Sequence, residues 1–186
     1  RTALANPSRS FAYSNRNDIP ITFEKIKLEY DGALDRNFST PPESLERIAL
    51  FSAIYQGTIG GTKSPINAAR KSALQAALSF SDSKVGRAEA WFTLRYVRKD
   101  GDPWRGYMES ALFGLYENNG SAVAAVDARA AYRMFTLHRP EILDYEKSKN
   151  SGNAQIISAN NKIPASLAGI VQVPTLEDAF TPAKNA

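Results

Sequence analysis

Apolar side chains recur at intervals of three and four residues along most of the chain, which is the spacing of an amphipathic α-helix. A clear example runs from Ile66 to Leu78, where Ala69, Ala73 and Ala77 share one side of the predicted helix. The pattern predicts a mainly α-helical fold.

Start and stop signals divide this pattern into separate helices. Thr40, Pro41 and Glu43 form a capping box, and Ser64 before Pro65 repeats the same logic of an N-cap followed by proline. The predicted helices span residues 23–30, 40–56, 64–80, 83–98, 102–118, 121–138 and 141–147.

The two ends of the chain lack helical periodicity. Residues 1–20 and 148–186 are rich in polar residues, and their isolated apolar pieces are too short to build a second core. We therefore expect a single helical-bundle domain over residues 21–147, with an extended N-terminal arm (1–20) and an extended C-terminal arm (148–186). Such arms gain order from neighbouring subunits, which favours a protein that assembles.

Composition excludes several classes of chemistry. The chain of 186 residues has no cysteine and a single histidine, His138, so disulfides, thiol catalysis and zinc sites with two histidines are not expected. We predict neither an enzyme nor a bound cofactor. The absence of an apolar stretch near 18 residues argues against a membrane span. The net charge of +4 is compatible with an anionic partner such as RNA or DNA.

Six short motifs follow one another over roughly residues 23–135. They read FEKIKLEYD (23–31), TKSPI (62–66), FSD (80–82), AEAW (88–91), PWRGYM (103–108) and DARAAY (127–132). This order resembles that in coat proteins of flexuous filamentous plant viruses, of the potyvirus and potexvirus kind. The corresponding family motifs read YEGVKRDYD, GTSP, FSD, AEAY, PYMPRY and ARYAFD.

The resemblance implies a viral coat protein that self-assembles through its two arms into a helical filament and encloses single-stranded RNA in a sequence-independent groove. It also implies a location in the virion and the host cytoplasm. In that family a serine, an arginine and an aspartate form a pocket for one nucleotide. By position the serine would be Ser64, the arginine Arg87 or Arg70, and the aspartate Asp127.

The residue types suit this chemistry on physical grounds as well. Arginines neutralise phosphates, small polar groups reach ribose, and aspartate can orient an arginine or accept a 2′-hydroxyl. Arg129 and Arg133, one helical turn apart, are further candidates for contact with RNA.

Other interpretations stay open from the sequence. Ser64 is equally explained as a helix N-cap, and Arg129 and Arg133 as a solvated face or as ion-pair partners. The main alternative function is a helical adaptor or scaffold subunit without nucleic acid, and an enzyme of unrecognised type is a third.

Overall fold

The computed structural model describes residues 18–38, 44–55, 65–97, 103–117, 123–148 and 152–186. Within these ranges the protein is mainly helical, as predicted, and its eight α-helices form one compact domain without a β-strand. The helices are α1 (Asp18–Asn37), α2 (Leu45–Tyr55), α3 (Pro65–Leu78), α4 (Ser83–Tyr96), α5 (Pro103–Phe113), α6 (Ala125–Ser148), α7 (Gly152–Asn160) and α8 (Leu176–Lys184).

Helix α4 lies at the centre of the bundle, in contact with α3, α5 and α6. Its residues 90–96 are all buried, so this half of the helix has no solvent-facing side. Helix α2 packs on α5, and α1 packs on α2. The largest fully enclosed apolar and aromatic side chains are Leu34, Leu50, Leu74, Trp91, Leu94, Tyr107, Met134 and Ile142.

Three predicted helix starts are confirmed: α3 begins at Pro65, α4 at Ser83 and α5 at Pro103. The carboxylate of Asp82 caps α4 by accepting the backbone N–H groups of the second and third helical residues. The Ser64 cap of α3 and the capping box of Thr40 to Glu43 lie outside the described residues. Helix α2 starts at Leu45 instead.

Two helices extend further than their sequence signals indicated. Helix α1 continues through Asp31 and Gly32 to Asn37, because Leu34 is fully buried and Asp31 pairs with Arg47 of α2 at 2.9 Å. Helix α6 runs unbroken through Pro140, where the sequence predicted an end near His138 and a second short helix.

Packing explains why α6 continues through Pro140. Proline in a helix interior removes one hydrogen bond, yet Ile142 and Tyr145 beyond it are buried on the same side as Ala131 and Met134. Burial of these side chains outweighs the lost bond.

Helix α5 is shorter than expected. It ends at Phe113, and Gly114 follows with φ of 79°, in the left-handed region that favours glycine. The N–H of Gly114 donates to the carbonyl of Ser110 at 2.9 Å, which closes the last turn.

The largest difference between the predicted and the observed fold concerns the C-terminal segment, which was expected to be an extended arm. Residues 152–186 fold back on the bundle, with α7 against α5 and α8 against α6. Their scattered apolar side chains enter the common core: Ile156, Ala159, Ile163, Val171, Val173 and Ala179. The described C-terminal segment is therefore part of the domain.

Polar contacts hold the C-terminal segment in place. Buried Arg95 donates to the carbonyl of Pro174 at 3.0 Å, and the hydroxyl of Tyr116 donates to the carbonyl of Ala179 at 2.8 Å. At the other end of the chain α1 begins at Asp18, inside the predicted N-terminal arm, and residues 1–17 lie outside the described part. None of the described helices has the length and apolar composition needed to cross a bilayer.

Candidate nucleic-acid interface

Helix α6 carries equal numbers of acidic and basic side chains, which differ in how they are paired within the protein. Its acids are Asp127, Glu141, Asp144 and Glu146, and its fully charged bases are Arg129, Arg133, Arg139 and Lys147. All four bases are exposed. We call the side that carries them the outer face of α6.

Two of the four acids have partners on other helices, and a third, the exposed Glu141, has its partner on α6 itself. Asp127 lies 3.7 Å from the ammonium of Lys84 on α4, and Glu141 lies 3.5 Å from the imidazole of His138. Glu146 accepts hydrogen bonds at 2.8 Å from the hydroxyls of Tyr96 and Tyr107.

Burial raises the pKa of the Tyr96 and Tyr107 hydroxyls, so both remain protonated donors to Glu146. The carboxylate of Glu146 is consequently directed into the bundle and does not offset the charges on the outer face. Asp144 is the one acid of α6 that is exposed and has no such partner among the described residues.

The four bases have no ion-pair partner within the described part of the chain. Arg129 and Lys147 are separated by 18 residues, which is five helical turns, so they lie along one line about 27 Å long. Arg133 and Arg139 lie between them along the axis. The outer face therefore carries four bases and, by the same helical spacing, the exposed acid Asp144, so it is positively charged on balance. Tyr132 beside it is 69% exposed.

Arg129 and Arg133 thus lie where the sequence hypothesis needs them, on an exposed face. The sequence analysis did not identify three further residues of this face: Arg139, Lys147 and Tyr132. The 18-residue spacing from Arg129 to Lys147 is a signal in the sequence, but it is visible only when α6 is taken as one helix through Pro140.

Arg87 and Asp127, two of the predicted pocket residues, lie in one charged cluster at the N-terminal ends of α4 and α6. Arg87 forms an ion pair with Glu46, donates to the carbonyl of Phe113 at 3.1 Å and lies over the ring of that residue. Its side chain is therefore committed to contacts inside the subunit.

Lys84 completes this cluster by bridging Glu117 and Asp127. The hydrogen bond with Glu117 holds the pKa of Lys84 above its usual range and the pKa of Glu117 below its own. Both groups stay charged at neutral pH. The cluster joins the end of α5 to the starts of α4 and α6, and Asp127 already has a cation beside it.

Arg70 lies in the core and is 1% exposed. Its guanidinium donates to the carbonyl of Leu94 at 2.8 Å and to the carboxylate of Glu109 at 3.3 Å. Glu109, also fully buried, accepts a further bond from Ser52 at 3.1 Å. This geometry gives Arg70 a role inside the protein, and we correct the expectation that it contacts RNA.

The last predicted pocket residue, Ser64, lies outside the described residues. Arg70, Arg87 and Asp127 are not brought together around a common open space: one is in the core and two belong to the charged cluster. The geometry instead brings Arg129 and Arg133 together with Arg139 and Lys147.

Comparisons of the chain with protein-family models, with curated proteins and with solved structures find no match. The likeness to filamentous coat proteins consequently rests on the short motifs alone. The interface has to be argued from its own geometry.

Proposed function

We propose that this chain is a viral coat protein that binds single-stranded RNA without regard to sequence and self-assembles into a helical filament. The observation that carries the proposal is the unequal pairing of charge on α6: Asp127 and Glu146 are held by partners on other helices, whereas all four bases are exposed. The virion and the host cytoplasm are the corresponding locations.

The outer face of α6 suits a phosphate backbone. Phosphates follow one another at about 3.4 Å along a stacked strand, so a strip of about 27 Å spans several of them. Contacts from arginine and lysine to phosphates position a strand but carry no sequence information. A coat must cover every part of a genome, and a strip of this kind meets that need.

Assembly is supported by apolar side chains left on the surface. Leu28, Leu137, Ile157 and Ile170 are each at least 59% exposed and are candidates for burial against neighbouring subunits. Because residues 152–186 are folded into the domain, the proposed reaching segment is residues 1–17. Its sequence contains Phe11 and Tyr13 as candidate anchors.

The first test is negative-stain electron microscopy of the purified protein, combined with absorbance at 260 and 280 nm before and after ribonuclease. Filaments that contain protected RNA are the expected result. A monodisperse particle free of nucleic acid that binds no added RNA would contradict the proposal and favour the adaptor alternative.

Removing charge from the outer face is expected to weaken RNA binding through the salt-dependent part of the affinity. For the triple variant Arg129→Gln, Arg133→Gln and Lys147→Gln, the slope of log K against log salt should fall by about 2, at roughly 0.7 per single-strand phosphate contact. The same relation gives a loss of about 100-fold at 0.1 M salt. Fluorescence anisotropy with short single-stranded RNA and RNA-free subunits measures both quantities.

A matched control removes three exposed bases from α1, by Lys25→Gln, Lys27→Gln and Arg36→Gln. The change in net charge is identical, so only position distinguishes the two variants. Equal losses from both would show that RNA responds to overall charge, and the α6 interface would be rejected.

A further inference from the structure

A groove of about 590 Å³ lies between α6 and α8, beside the outer face of α6. Its walls are mainly apolar, from Tyr132, Phe135, Leu176, Phe180 and Ala183. A volume of this size is in the range of sites that hold small molecules or single nucleotides.

The aromatic side chains of the groove differ in how firmly they are held. Phe135 and Phe180 pack against each other with centroids 5.0 Å apart, and Phe180 also meets Trp91 of the core at 6.2 Å. Tyr132, by contrast, is 69% exposed. The groove therefore has a fixed aromatic base and one exposed ring at its edge.

Positive charge borders the groove. Next to Tyr132 the groove adjoins a smaller hollow of about 350 Å³, which is lined in part by Arg129. Tyr132 and Ala183 line both the groove and the hollow. Glu177 is the carboxylate among the residues that line the larger groove, and Lys184 lies 3.7 Å from it. Among the described residues Arg129 has no ion-pair partner at this edge, where Ala186, the last residue of the sequence, also lines the hollow.

We propose that this groove receives a base of the bound RNA, stacked on Tyr132, while the neighbouring phosphates lie on Arg129 and Arg133. This inference rests on the proposed function and names a base site within it. Stacking on an aromatic ring accepts any base, because every base has a π-face, so the site adds affinity without sequence preference.

Charge complementarity favours a nucleotide over an apolar peptide as the occupant. An apolar segment would gain nothing from the arginine at the edge of the groove, whereas a base is always attached to a phosphate that needs a cation close by. The alternation of Arg129, Tyr132 and Arg133 along one helix places stacking and phosphate contacts within a single turn.

The test compares two single-stranded probes of equal length, oligouridine and an abasic oligoribose phosphate, in fluorescence anisotropy with RNA-free subunits. Tyr132→Ala is expected to weaken binding of oligouridine about tenfold, and to leave both the abasic probe and the salt slope unchanged. Leu143→Ala removes another exposed apolar side chain of α6, away from the groove, and should change neither probe.

Equal loss of affinity for both probes, or no loss for either, would overturn the base site. A change in the sedimentation of RNA-free Tyr132→Ala, with base-dependent binding intact, would also overturn it and assign the groove to a protein segment. Failure of the proposed function is distinguishable, because the unmodified protein would then bind neither probe in a salt-dependent way.

Discussion

Replacing Glu109 by alanine should lower the free energy of unfolding by about 3–5 kcal/mol, because it removes the carboxylate that pairs with the buried guanidinium of Arg70. Both side chains are enclosed, with at most 2% of either exposed, and the ion pair measures 3.3 Å. A loss of this size is a large fraction of the stability of an ordinary domain. Urea denaturation of RNA-free protein, followed by circular dichroism, measures it.

The double variant Arg70→Met and Glu109→Leu provides the comparison for this experiment. It removes both charges at similar volume, and it should recover most of the stability lost in the single variant. A single variant within 1 kcal/mol of the unmodified protein would show that the pair contributes little and that Arg70 is more accessible than its packing indicates.

The second large effect is expected at Gly86, where α4 approaches α3. A Cβ atom at this position would lie 2.4 Å from the carbonyl oxygen of Ala77 and 3.3 Å from the Cβ of Phe80. Because the first contact is with backbone, the two helices would have to move apart. Gly86→Ala should therefore destabilise the protein by about 2–3 kcal/mol, although alanine in a helix is normally favoured over glycine by about 1 kcal/mol.

Gly169→Ala provides the matched control, since a Cβ atom there meets nothing within 4 Å. Thermal denaturation should show a clear fall in Tm for Gly86→Ala and a change close to zero for Gly169→Ala. A Gly86→Ala protein as stable as the unmodified one would mean that α3 and α4 are not in the close contact described.

Local signals in the sequence predicted the starts of three helices, α3, α4 and α5. Pro65, Ser83 and Pro103 begin helices because caps and N-terminal prolines act within a few residues of one another. The continuation of α1 past Gly32 and of α6 past Pro140 depends on packing against other helices. No local pattern reports that packing.

The C-terminal segment shows even more clearly that local sequence patterns do not report packing between distant parts of the chain. Ile163, Val171 and Val173 show no helical period, and each reaches the core from an irregular stretch between α7 and α8. Their burial depends on surfaces offered by helices formed much earlier in the chain. Because periodicity reports only local structure, the sequence analysis assigned these residues to an arm.

The candidate interface was predictable in part. The sequence identified Arg129 and Arg133 as exposed candidates, but α6 is electrically neutral as a string of residues. Its separation into a charged outer face and paired inner acids depends on Lys84, Tyr96 and Tyr107 in other helices. Likewise, nothing near Arg70 in the sequence indicates Glu109, which is 39 residues away.

The folded position of residues 152–186 has a consequence for how the protein is made. These residues follow the bundle helices in the chain, so the contact of Arg95 with Pro174 and the contact of Phe180 with Trp91 cannot form until residues 152–186 have been synthesised. A nascent chain would therefore expose Trp91 and the core around it until these later residues have been made.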